Sequence, residues 1–237
     1  MPRPFDDRDH DPWAVLDNPV WHALGGPHSR WCEQHGSARR YAPDVTPFAG
    51  LPDAPTDTDW GSLAALVGPG GAAVVFRTPI EASPTFTVRF RAPCLQMLAP
   101  TAMRDVPDAP VEPIRDLAPL ATLVDETRPG PWLARTHELG GFVGIYDGDD
   151  LVAAAGVRMA VPGAVEISGV CTAEHARGRG LARAVVAAVV RDAAARGEVA
   201  FLHVLHDNTS AIASYERLGF THRADLEVAL VVAPGAE

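Results

Sequence analysis

The chain has 237 residues, enough for one large domain or two small ones, each with its own core. Its 47% hydrophobic and 21% charged residues describe a globular protein and exclude a disordered one. A formal net charge of −10 argues against a nucleic-acid partner, because sequence-independent binding needs clustered cations against phosphate.

Residues 1–12 form an acidic arm without the apolar segment of a secretory signal. Asn18 to His35 suits a helix interrupted by Gly25-Gly26-Pro27, and a Pro/Asp-rich stretch runs from Pro43 to Asp59. Trp60 to Val67 is a short helix stopped by Gly68-Pro69-Gly70-Gly71. Ala72–Phe76, Phe86–Phe90 and Cys94–Leu98 follow as strands. The loop Pro100–Pro113 marks an expected domain boundary near residue 108, giving an N-terminal part over 1–107 and a second part over 108–237.

The second part has a clearer pattern. Ile114 to Glu126 carries apolar residues at helical spacing, and Trp132 to Leu139 suits a second short helix. Three strands are expected over Phe142–Tyr146, Leu151–Val161 and Val165–Thr172, with turns at Asp147–Asp150 and Pro162-Gly163. Arg177–Gly180 opens a helix to about Arg196, followed by a strand Ala200–Leu205. A helix Thr209–Leu218 stopped by Gly219 and a strand Leu226–Val232 complete the chain. The order predicts a mixed α/β (α+β) layer architecture with an antiparallel start, preceded by a smaller N-terminal α/β domain. The longest apolar runs are too short to span a membrane, which predicts a soluble cytoplasmic protein, and monomer and homodimer both stay open.

Two segments carry chemistry. In Arg177-Gly178-Arg179-Gly180-Leu181-Ala182, the glycines permit a tight turn and the following helix presents unpaired amides and its positive dipole end. That combination suits a pyrophosphate, with the arginines adding charge. Neither a P-loop nor a dinucleotide-binding fingerprint is present, and all 20 basic residues are arginine, so no lysine is available for Schiff-base chemistry. The second segment runs from Asp207 to Phe220, with Asn208, Ala211, Tyr215, Gly219 and Phe220 in the pattern N-x-x-A-x-x-x-Y-x-x-x-G-F.

The two segments together, with one strand between them, resemble the coenzyme A site of the GNAT superfamily of N-acetyltransferases over roughly residues 112–233. Arg177, Gly180 and Ala182 match that family's phosphate loop. The resemblance implies a splayed central sheet with flanking helices. It also implies acetyl-coenzyme A as donor, bound between the strands Val165–Thr172 and Ala200–Leu205. Backbone groups of Val170, Cys171 and Thr172 would pair with the pantetheine arm. Amides of Gly178, Arg179, Gly180, Leu181 and Ala182 would take the pyrophosphate, and Asn208 would contact the pantetheine region. The implied reaction moves an acetyl or short acyl group to a primary amine of a small molecule or peptide, by direct transfer in a ternary complex. The N-terminal part would be an accessory domain or a degenerate acyltransferase half that shapes the acceptor cleft. A non-catalytic acyl-coenzyme A-binding regulator is the alternative.

Tyr215 is the expected acid for the leaving thiolate, against a reading as a packed helix aromatic. Glu166 is the expected base, against a solvated strand carboxylate, with His203 as runner-up and more suited to a packed, hydrogen-bonded role. The resemblance also implies that the segment Arg128-Pro129-Gly130-Pro131-Trp132 lines the acceptor side, where Trp132 either walls an amine pocket or packs. The three cysteines, Cys32, Cys94 and Cys171, are odd in number and widely spaced. They predict neither a disulfide framework nor a metal site, and Cys171 is expected to be a plain packed residue.

Overall fold

The computed structural model describes residues 11–236, so the arm expected over 1–12 lies almost wholly outside the described residues. The chain begins with a 3-10 turn at Ala14–Asp17 and a short helix α1 (Pro19–Leu24). The helix expected to continue to His35 does not. Past Gly25-Gly26-Pro27 the chain makes a 3-10 turn at Ser29–Trp31 and becomes a strand, β1 (Cys32–His35). Turning at Gly36-Ser37, it pairs antiparallel with β2 (Ala38–Tyr41), which pairs with β3 (Ala49–Gly50) to close a three-stranded sheet. Helix α2 (Asp57–Val67) starts one turn earlier than the apolar spacing suggests. Thr56 caps it and Asp59 caps back, in a reciprocal box that satisfies two free amides.

The rest of the chain builds an eight-stranded sheet. Its strands in chain order are β4 (Ala72–Arg77), β5 (Thr87–Leu98), β6 (Glu112–Pro113), β7 (Phe142–Asp147), β8 (Asp150–Val161), β9 (Ala164–Thr172), β10 (Val199–Leu205) and β11 (Thr221–Val232). Their order in space is β4-β11-β5-β10-β9-β8-β7-β6. The two strands expected over Phe86–Leu98 are one. Pro93, which lacks an N–H, sits just past the last β10 pair, Leu205–Cys94, where only its carbonyl is used, accepting from the His206 amide at 3.2 Å. Three helices belong to this part: α3 (Leu117–Thr127), α4 (Leu181–Ala195) and α5 (Thr209–Leu218). The helix expected at Trp132–Leu139 is only a 3-10 turn at Thr136–Leu139.

Strands from both sides of residue 108 share this sheet: β5 lies between β10 and β11 and is antiparallel to both. A boundary at 107/108 would therefore cut the sheet through its middle. One face is covered by α3 and α4, whose Leu120, Leu123, Val185, Val186 and Val189 are buried with Ile167, Leu202 and Val204 of the strands. The other face is covered by the N-terminal segment, where Leu16, Val20, Leu24 and Phe48 meet Met159, Ala164, Phe201 and Leu226. Alternation along β9 and β10 sends Val165, Ile167, Ala200 and Leu202 to the first face. Ala164 and Phe201, the intervening residues, go to the second.

Candidate active site

β9 and β10 run parallel and pair only from Val199–Ala164 to Phe201–Glu166. Beyond that they separate, because each follows its other neighbour. β10 stays with β5 as far as Leu205, and β9 stays with β8 as far as Thr172. The separation opens a cleft of about 880 Å³. Its wall on one side is the inner edge of β9, Ile167 to Thr172, which β10 leaves unpaired. β9 bulges here: Gly169 and Val170 together face Ala155 of β8, which bends the strand as the cleft opens. The Thr172 hydroxyl is buried in this wall and, among the described residues, has no hydrogen-bond partner.

The floor of the cleft is the loop into α4. Gly178 and Gly180 sit at φ 77° and 78°, the left-handed region that side chains with a Cβ enter at a cost of about 1–2 kcal/mol. The resulting turn leaves the amides of Gly178, Arg179, Gly180, Leu181 and Ala182 in one run that, among the described residues, no acceptor claims. Five such donors at a helix N-terminus form an anion site of the kind that takes phosphate. Arg177 and Arg183 border it, and Arg183 is tied to the Asp105 carbonyl at 2.7 Å. Arg179 departs from expectation as a side chain. It leaves the cleft and pairs on the surface with Asp147 at 3.1 Å, so only its amide serves the loop.

Helix α5 forms the opposite wall. Asn208 caps it, its carboxamide oxygen accepting from the Ala211 amide at 3.2 Å, which leaves the –NH2 for the cleft. Two turns along, Tyr215 lines the cleft, half-buried, with its ring 5.7 Å from Phe220. Burial pushes its phenol up to about 12, so it is protonated at neutral pH and able to donate. The Cys171 thiol is buried and raised to about 11 by the same cause, with Thr127 and backbone contacts opposing, so it is not a nucleophile at neutral pH. Trp132 packs edge-on against Phe142 at 5.3 Å in a shallow recess that also holds Pro129, Gly130, Arg158 and Ser168.

Glu166 is placed differently from its expected role. It is wholly buried and does not line the cleft. Arg158, the extra residue of a bulge in β8 between Val157 and Met159, grips both carboxylate oxygens at 3.0 and 2.6 Å. His203 Nδ1 adds a contact at 2.8 Å. Burial alone would raise this carboxyl, but the Arg158 charge and His203 outweigh it and hold it at about 2. A carboxylate so weakly basic, with its oxygens taken, is unsuited to accept a proton from an amine.

His203 is fixed too. Its Nε2 lies 2.9 Å from Gln96 Nε2, while the Gln96 oxygen accepts from Arg223 at 2.8 Å and its nitrogen donates to the Leu16 carbonyl at 2.8 Å. Arg223 can only donate and the carbonyl only accept, which settles the orientation of the amide. Nε2 of His203 must then accept, and Nδ1–H must donate to Glu166. The imidazole is a spacer in a buried polar chain, as the packed reading expects. Arg128 lines the cleft with Pro129 and Gly130, in the segment expected on the acceptor side, whereas sequence reasoning did not single out Arg158 or Arg183 as cleft residues. Among the described residues no cluster of His, Cys, Asp and Glu could hold a metal, and no helix is long and apolar enough to cross a membrane.

A family model described as FR47-like protein matches residues 142–229, which run from β7 into β11. The structure of an acetyltransferase of the GNAT family from Novosphingobium aromaticivorans is 35% identical, with a TM-score of 0.82, over 94% of this chain and 99% of that one. The likeness therefore takes in most of the N-terminal residues as well. A GCN5-related N-acetyltransferase from Kribbella flavida shares the fold at 20% identity, with a TM-score of 0.62, over 92% of this chain and 95% of that one. No curated protein matches the chain. With a 35% identical relative along nearly its whole length, and an eight-stranded sheet that splays at an amide-rich helix N-terminus, the chain belongs to the GNAT family of acetyltransferases.

Proposed function

We propose that the cleft binds acetyl-coenzyme A and that the chain transfers its acetyl group to a primary amine by direct attack in a ternary complex. The observation that carries this reading is the run of five unclaimed amides, Gly178 to Ala182, at one end of a cleft whose wall bears a protonated phenol, Tyr215. The amides and the positive end of α4 take the pyrophosphate. The free edge of β9 at Val170–Thr172 offers strand-like hydrogen bonds to the amides of the pantetheine arm, and the unpartnered Thr172 hydroxyl offers another.

The amine nitrogen attacks the thioester carbon and forms a C–N bond. The tetrahedral intermediate collapses with loss of the C–S bond, and Tyr215 gives its proton to the sulfur. Among the described residues no carboxylate lines the cleft, and Glu166 and His203 are both engaged, so the amine releases its proton to water.

The test is thiol release from acetyl-coenzyme A with a panel of amines. Tyr215→Phe should lower kcat at least 10-fold, as expected for removal of a general acid, while acetyl-coenzyme A affinity stays within about two-fold. Unchanged turnover would remove Tyr215 from the mechanism. Tight binding of the donor with no turnover on any amine would instead favour a regulatory acyl-coenzyme A-binding protein.

A further inference from the structure

The cleft of this acidic protein is lined by five arginines, Arg128, Arg158, Arg177, Arg183 and Arg217, and among the described residues by no aspartate or glutamate. Two of the five border the amide loop. Arg158 lies elsewhere, in β8 beside Glu166 and Ile167, five residues of β9 from Thr172, or roughly 16 Å at ~3.3 Å per residue. It lines both the cleft and the recess of Pro129, Gly130 and Trp132.

The guanidinium of Arg158 is held in place. Its Nε and Nη2 are taken by Glu166, and the Phe48 ring stacks 4.7 Å from its centre. Nη1 has no acceptor among the described residues and lies 4.0 Å from where a Cβ on Gly130 would stand, at the cleft wall. A planar donor edge fixed in a half-dry pocket is suited to a carboxylate oxygen and loses little freedom on binding one. The ion pair with Glu166 cancels most of the charge of Arg158. Arg128, exposed on the loop after α3 and without a salt bridge among the described residues, supplies the net positive charge at this end.

We infer, on the basis of the acyl-transfer reading above, that the acceptor is an amino acid: its carboxylate rests on Arg158 Nη1 and Arg128, and its amine points along β9 towards the thioester. A polycationic acceptor would meet like charge along the whole cleft and find no carboxylate to hold it.

The experiment uses the full chain with acetyl-coenzyme A and measures thiol release for free L-amino acids, their carboxamides, the matching decarboxylated amines and spermidine. In parallel, calorimetry measures binding of the same compounds to the protein loaded with coenzyme A. Free acids should exceed their amides by about 10-fold or more in kcat/KM, the separation expected when a charged hydrogen bond is lost. Arg158→Lys keeps a partner for Glu166 but withdraws the fixed edge, and should narrow that ratio. Arg128→Gln, at an exposed position, should raise KM for the acids several-fold more than for the amides. Amides or spermidine performing as well as the acids would overturn the inference. If no amine is turned over yet acids bind more tightly than amides, the acyl-transfer reading falls and carboxylate recognition stands. Equal binding, or none, overturns both.

Discussion

Glu166 shows how one residue can have the right address and a different task. Its folded pKa of about 2 lies below the ordinary carboxylate value of about 4.3. The stabilisation it brings is therefore complete above about pH 4.5 and is lost as pH falls through the folded value. Glu166→Gln should destabilise the fold at pH 7 by about 3 kcal/mol, because it leaves the Arg158 charge buried without a counter-charge. The variant should also flatten the fall in stability between pH 4.5 and 2. Chemical denaturation across that range checks both, and a variant as stable as the parent with the same pH slope would refute the pairing. The position of Glu166 on β9 is legible in the sequence from strand alternation. Its partner is not, since Arg158 reaches it only through a bulge, and β8, buried on both faces over Leu151–Ala155, carries no clear alternation for a one-residue bulge to interrupt. Arg183 is hidden for a related reason, since it meets the site by tertiary placement, while Arg177–Ala182 is contiguous and carries its chemistry in its own turn.

At the scale of elements, the loop into α4 separates two effects of glycine. A Cβ at Gly178 would meet nothing within 4 Å, so Gly178→Ala carries only the backbone penalty of φ 77° and stands at the anion site. A Cβ at Gly180, at φ 78°, would also come within 2.9 Å of the Pro107 ring. Gly178→Ala should weaken acetyl-coenzyme A binding with a stability loss of about 1–2 kcal/mol, and Gly180→Ala should lose more in stability. Titration calorimetry beside thermal melts distinguishes the two, and equal melting temperatures would contradict the Pro107 contact. Elements whose burial follows their own periodicity, such as α4 and β8–β9, agree with the sequence reading to within a few residues. Those that differ are set by partners. Cys32–His35 has no strong strand pattern and becomes a strand because Ala38–Tyr41 folds back on it. Trp132–Leu139 has helical spacing, yet Trp132 packs on Phe142, and Thr136, at the start of the 3-10 turn, bonds the Leu133 amide and the Val45 carbonyl.

For the whole molecule, the sheet order decides how far the catalytic part depends on the N-terminal residues. β5 is hydrogen-bonded to β10 over Cys94–Leu98 and to β11 over Thr87–Leu98, so removing 1–107 would strip an inner strand from the sheet. It would also expose the second face, where Phe201, Met159 and Leu226 are covered by Leu16, Leu24 and Phe48. Phe201, Met159 and Leu226 each bury a side chain worth about 1.5–3 kcal/mol against water, and their combined exposure is comparable to the ~5–15 kcal/mol that holds a domain folded. The buried polar chain would break as well, since the Gln96 that fixes His203 lies on β5. A fragment of residues 108–237 should therefore aggregate or unfold without a cooperative transition, whereas the full chain should unfold as one unit seen alike by far-UV and near-UV signals. A fragment that melts cooperatively and binds acetyl-coenzyme A as the full chain does would show instead that the N-terminal residues are a separable accessory domain. In that case the shared sheet would matter little to the energetics of the site.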